Sequence, residues 1–213
     1  MVKNKSARVR EVLSIETKGR TLVQTSPCNT ASSCCTVKMS LAPLNALRVS
    51  KHQIPAWKAI PNTSVQNKPL LIYHEAFKNP SASKIESHLQ SVGVVEPQWR
   101  YTMYSQSHFH STAHEVLSIA SGSAKCCFGH EDNPDRVEPV LSKGDVVIVP
   151  AGVAHRLLED YGGFQMVGSY PVGKNWDMCY GKAGEEDKVQ SISKLGWFEK
   201  DPIYGSEGPC LDL

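Results

Sequence analysis

Between Glu16 and Glu75 the chain carries no acidic residue, and nowhere does it carry an apolar run near the ~20 residues needed to cross a bilayer. The N-terminus lacks the apolar core of a secretory signal. No CxxC pair occurs, which excludes a zinc ribbon or a dithiol redox motif. The seven cysteines are odd in number and include two adjacent pairs, Cys34–Cys35 and Cys126–Cys127, a poor basis for a disulfide framework. They read as free thiols of a reducing compartment. No internal repeat is present. A net charge of +2 gives no reason to expect a nucleic-acid partner, and nothing points to a membrane.

What is present is the composition of an ordinary globular protein, 40% hydrophobic and 21% charged over 213 residues. The charge is unevenly placed. Lys3, Lys5, Arg8, Arg10, Lys18 and Arg20 oppose only Glu11 and Glu16 in the first twenty residues, and Ser and Thr follow. Residues 1–48 therefore read as a flexible basic leader on a cytoplasmic protein, with a mitochondrial transit peptide as the other reading and Met39 as a possible natural start. Residues 49–213 read as one domain with its core at about 69–171.

From residue 69 the texture changes. PLLIYHEAF reads as a strand. SASKIESHLQSVG reads as a short helix, with Ser83 and Glu86 at capping-box spacing and Gly93 as its stop. WRYTMYSQSHFH (99–110), EVLSIAS, SAKCCF, VEPVL, DVVIV, HRLLED and FQMVGSY then follow as short β segments, separated by Gly, Asn and Pro turns. Such spacing predicts an all-β barrel or sandwich, with a C-terminal tail packed over it that includes a short helix near 185–195.

Two stretches carry chemistry. HFHSTAHE (108–115) holds three histidines and a glutamate, and PAGVAH (150–155) adds another histidine at a strand opening. Residues two apart share a strand face, so His108 and His110 point together, while Glu115 and His155 open strands that return to the same interior. Three imidazoles and one carboxylate suit a divalent transition metal: Fe, Mn, Ni, Zn or Cu. His114 should face the other way and stay out of the ligand set. On the strand phase of His108, Thr102, Tyr104 and Gln106 line the pocket; Glu159 shares a face with His155. Tyr104, Gln106 and Glu159 are thus candidates for orienting a substrate or moving a proton. Core packing for Tyr104, and a structural bond or solvated strand end for Glu159, are the competing readings.

His108-x-His110-x4-Glu115-x6-Gly122 and Gly144-x5-Pro150-x-Gly152-x2-His155 resemble the two motifs of the cupin superfamily. HSTAHEVLSIASGSA, DVVIVPAGVAHRLLE, GSYPVGKNWD and DPIYG-x-x-GP are similar to the single-domain YjlB-like cupins, over about residues 52–211. Thr102 and Glu159 stand where the pattern has Gly and Asn. The resemblance implies a small jelly-roll barrel with His108, His110, Glu115 and His155 on one metal ion. It implies a metal-dependent enzyme on a small molecule, oxygenase-like with iron first among the metals. A redox-silent isomerase, decarboxylase or hydrolase, or a non-catalytic binding cupin, are the alternatives. A homodimer is expected, with the segment around 69–74 covering an open sheet edge.

Overall fold

In the computed structural model residues 38–213 are described, and most of the basic leader, with its transit-peptide reading, lies outside the described residues. Within the leader's last stretch, β1 (Ser40–Leu41) pairs with β4 (Phe77–Lys78), and one 3-10 turn (Leu44–Ala46) precedes β2 (Arg48–His52).

Seven strands form one antiparallel sheet in the order β2, β3 (Leu70–His74), β8 (Val146–Val149), β6 (Glu115–Phe128), β9 (His155–Pro171), β5 (Val95–Tyr101), with β7 (Val140–Ser142) added on β6. The fold is the expected all-β jelly roll. Its hydrogen-bonded path is open at β2 and β5, and burial encloses the interior. Alternation decides the two faces. Leu70, Ile72, Leu117, Ile119, Val147, Val149 and Met166 enter the inner core. Their neighbours Leu71, Tyr73, Val116, Val146, Ile148 and Val167 form a second core on the opposite face.

Helix α1 (Ala82–Val92) covers that second face with Ile85 and Leu89, four apart and fully buried. Each such side chain contributes on the order of 1.5–3 kcal/mol. Gly93 ends the helix in the left-handed conformation (φ 71°), as expected. The capping box does not form. The helix begins two residues earlier than it requires, with Ser81 rather than Ser83 at the N-cap, and Glu86 turns instead to the Arg100 guanidinium on β5.

β6 and β9 run together over 14 and 17 residues, far beyond a typical strand, and bend at bulges between Ile119 and Cys126. Gly122 sits at the bend (φ 66°), where a Cβ would lie 2.4 Å from the Gly162 carbonyl oxygen. The predicted strand over 99–110 ends at Tyr101. Beyond it the chain changes partner at nearly every step: the Tyr104 carbonyl accepts from the Leu157 amide, His108 bridges His155, and Phe109 bridges Cys179. A continuous ladder cannot follow three partners. The segment named for dimer exchange is likewise corrected: β3 is paired on both sides, by β2 and β8, and offers no open edge.

The C-terminal tail packs as expected. Helix α2 (Glu186–Ser191) and a 3-10 turn (Ile192–Lys194) bring Ile192 against Phe109 and Ala151 in a third apolar cluster. Trp197, Phe198, Ile203 and Leu211 join α1 on the second core. Buried Asp201 fastens this tail. It accepts hydrogen bonds from the Tyr73 hydroxyl (2.7 Å) and the amides of Ile203 (2.8 Å), Tyr204 (3.0 Å) and Cys210 (3.3 Å). Among the described residues no helix is long and apolar enough to cross a membrane.

Asp201→Ala leaves these donors buried without an acceptor and should cost on the order of 3 kcal/mol, lowering the melting temperature by roughly 5–10 °C. Urea unfolding measures it. Metal content should not change, because Asp201 serves the face away from the histidines.

Candidate metal centre

The irregular segment 102–114 exists to deliver two imidazoles. His108 and His110 stand on either side of buried Phe109, and His155 opens β9 opposite Phe128. Each of the three offers a ring nitrogen, and these nitrogens lie within 4.8 Å of one another. All three side chains are buried.

The proton positions follow from the partners. Nδ1 of His108 lies 2.9 Å from the Gln106 carbonyl oxygen, Nδ1 of His155 lies 3.1 Å from that of Val153, and Nδ1 of His110 bonds the carbonyl of Asp177. A carbonyl only accepts, so each Nδ1 carries the hydrogen and each Nε2 keeps its lone pair. Burial lowers the pKa of His108, and it brings that of His155 down to about 3. Neutral imidazole is the form a metal binds.

Glu115, at the start of β6, completes the floor. Its Oε1 is 3.5 Å from Nε2 of His110 and its Oε2 is 3.3 Å from Nε2 of His155. The Tyr170 hydroxyl donates to Oε1, while Oε2 is buried and accepts no hydrogen bond. Burial alone would raise the carboxyl, but His110, His155 and Tyr170 outweigh it and hold it at about 2. At His110 burial is in turn outweighed by Glu115, and the pKa rises. The buried Glu115 carboxylate thus favours positive charge beside it. A divalent ion supplies the same positive charge, and its lone-pair partners already converge. The donor set fits a borderline first-row ion.

Above the floor is a cavity of about 290 Å³. Thr102 and Tyr104 line it, as the strand phase predicts; the Tyr104 ring lies 5.6 Å from that of His108. Gln106 and Glu159 do not line it. With the strand broken at Tyr101, Gln106 turns outward, and its backbone carbonyl serves His108 instead. Glu159 lies on an exposed stretch of β9 opposite Lys125. A register shift between Lys125 and Cys126 puts the extra residue, Leu158, between Leu157 and Glu159, which reverses the face they would have shared.

Other residues take part that spacing alone does not reveal. Tyr170 bonds Glu115 and accepts from the Trp99 indole (3.0 Å); alternation along β9 places it with Met166 on the pocket face. Trp99 lies across Gly168, where a Cβ would come within 2.0 Å of the indole. Asp177 pins the segment that carries Trp176 and Met178 over the pocket. Its carboxylate accepts from the Ser111 amide (2.7 Å) and hydroxyl (2.8 Å), and pairs with Lys188 (3.2 Å). Burial works against ionisation here, but these donors with the Cys179 thiol hold it at about 2. His114 faces away from the floor. Its Nδ1 accepts from the Ala151 amide (3.0 Å) and its Nε2 donates to the Gly196 carbonyl (3.2 Å) beside Trp197.

Comparison with known proteins identifies the family. Residues 87–158 match the family described as Cupin. Over 148 residues the chain is 32% identical to the uncharacterized protein YjlB of Bacillus subtilis strain 168, covering 68% of this chain and 85% of that one. Among solved structures, procruciferin, an 11S globulin of Brassica napus, matches with a TM-score of 0.32 and 16% identity over 53% of this chain, which spans only 22% of the globulin. The WlaRB TDP-quinovose 3,4-ketoisomerase of Campylobacter jejuni matches with a TM-score of 0.33 and 13% identity, over 45% of this chain and 76% of that one.

Two outcomes follow from the surroundings of the histidines. Burial brings the pKa of His114 down to about 4 from the ordinary 6.5. The unfolded chain takes up this proton near 6.5 and the folded chain only near 4, so the contribution is present above pH 6.5 and is lost as pH falls toward 4. Metal-free protein should lose on the order of 3 kcal/mol through this one group, and His114→Gln should flatten the slope in urea titrations between pH 7 and 4. Asp177→Ala should weaken metal binding roughly 10–100-fold by releasing the segment whose carbonyl orients His110, as competition with a chromophoric chelator would measure.

Proposed function

We propose, from the premise that this chain belongs to the cupin family and within it to the YjlB-like group, that it is a metal-dependent enzyme of the oxygenase type acting on a small molecule. The observation that carries the proposal is the convergence of three Nε2 lone pairs and the unpartnered Glu115 Oε2 at the base of an open pocket. His108, His110, Glu115 and His155 would hold the ion. Four protein ligands leave room on it for substrate, the property that separates a catalytic centre from a structural one. When bound, an iron or similar redox-active ion supplies the electron transfer between a chelating organic molecule and dioxygen.

The protein's own part is positional. Gln106, Asp177 and Val153 fix the Nδ1 hydrogens and aim the imidazoles, while burial keeps His108 and His155 neutral. Tyr170 holds the Glu115 carboxylate in place and leaves Oε2 to the ion. The largely apolar wall above the floor orients the substrate, with the Tyr104 ring at its side. The placement of the candidates supports oxidation over the redox-silent reading. A redox-silent reaction that relied on Glu159 or Gln106 to move a proton is disfavoured, because of the three candidates only Tyr104 lines the pocket.

Protein purified without a histidine tag should carry close to one transition-metal ion per chain by elemental analysis. It should take up oxygen on addition of a catechol, β-diketone or thiol. Chelation should lower the melting temperature by roughly 5–10 °C. His108→Ala and His155→Ala should each weaken metal binding by more than the roughly 100-fold that an outer contact costs, and abolish uptake. Stoichiometric metal with turnover but no oxygen uptake would turn the assignment to the redox-silent enzyme. Negligible metal, with small-molecule binding unchanged in His108→Ala, would turn it to a non-catalytic binding cupin.

A further inference from the structure

We infer that the pocket takes a flat aromatic molecule of one or two rings, with a small oxygen-donor head and without phosphate groups. The head rests on the metal-centre reading above; the choice of ring rests on this chain's side chains alone.

The wall of the pocket is a cage of rings: Trp99, Tyr101, Tyr104, Tyr170 and Trp176. They descend to the floor without a break. The Tyr104 centroid is 5.6 Å from that of His108, and the Trp176 centroid is 5.9 Å from that of His110. Tyr170 and Trp176 lie 6.5 Å apart at an interplanar angle of 27°. Met103, Met166 and Met178 add thioethers to the wall, which sit well against ring edges and adjust to ring shape. A flat π-system finds stacking and edge contacts here from several directions.

Exposure at the mouth makes the same point. Tyr101, Tyr104 and Trp176 are 60%, 53% and 40% exposed, three large aromatic side chains left wet around one opening. Grouped apolar surface of this kind marks a place where something docks. Size limits what enters. A cavity of about 150 Å³ is enough to hold benzene, so 290 Å³ admits one ring with substituents or two fused rings.

Charge sets the rest of the class. Above the floor, Arg100 is the one Lys or Arg among the described lining residues, and its Nε and Nη2 are both engaged by the Glu86 carboxylate. Anionic groups beyond the one that reaches the floor, such as those of a phosphate ester or a polycarboxylate, would meet no free cation along the wall and be left poorly solvated. The oxygen-donor head is the one polar part the pocket serves, because the floor is its polar end.

The test uses the full chain loaded with Zn(II), which permits binding without turnover, with metal content measured on every sample. The probes are 4-nitrocatechol, acetohydroxamate (a chelating head with no ring), 2-naphthol (rings with no chelating pair) and glucose 6-phosphate. Trp176→Ala should weaken 4-nitrocatechol about tenfold and leave acetohydroxamate within about twofold, and Trp176→Phe should restore most of the loss. 2-Naphthol should bind by equilibrium dialysis even to metal-free His108→Ala protein, and glucose 6-phosphate should displace nothing. Equal loss of both chelators in Trp176→Ala, displacement by glucose 6-phosphate, or absence of 2-naphthol binding would each overturn the inference. Where melting shows Trp176→Ala to be unfolded, Tyr104→Ala is read by the same criteria. A chain that takes up no zinc loses both chelators and overturns the metal-centre reading, while 2-naphthol still decides the ring preference.

Discussion

Three backbone carbonyls determine what this molecule can do. Gln106, Val153 and Asp177 each take the Nδ1 hydrogen of one buried histidine, and this alone turns the three Nε2 lone pairs toward one point. An imidazole without such a partner could adopt the other tautomer or rotate, and a cluster of three would then repel a cation as readily as hold it. Two of the carbonyls lie two residues before the histidine they serve, so the local chain path sets them. The third arrives from 67 residues away.

The sheet makes that geometry rigid. Its two faces are both covered, one by the inner core and one by α1 and the C-terminal tail. The strands that open with Glu115 and His155 are therefore fixed from both sides. Long β6 and β9 bend rather than end, which lets one ladder carry a ligand at its mouth and still span the domain. Buried Tyr73 and Asp201 fasten the outer layer, so the tail is part of the domain and no mere appendage.

Much of this is legible in the residues. The turn chemistry marks the strands, the position of Gly93 marks the end of α1, and the spacing of His108, His110, Glu115 and His155 marks the residues that meet at the floor. What escapes is whatever depends on partners distant in sequence. The bulge that inserts Leu158 reverses the face of Glu159 and has no signature in HRLLED. The broken strand after Tyr101 turns Gln106 outward, because its neighbours belong to three different segments. Glu86 is drawn away from a capping role by Arg100, 14 residues later. Asp177 contributes a carbonyl, and a carbonyl is common to every residue type, so no motif can announce it.

That last contact has a consequence for biogenesis. All the candidate ligands leave the ribosome before residue 177 does, and His110 has no fixed orientation until the later segment docks on Ser111. The carbonyl that fixes the His110 ring is thus the part of the candidate centre placed last along the chain, after His155. Displacing that later segment would therefore loosen His110 while His108 and His155 stay aimed by their own local chain.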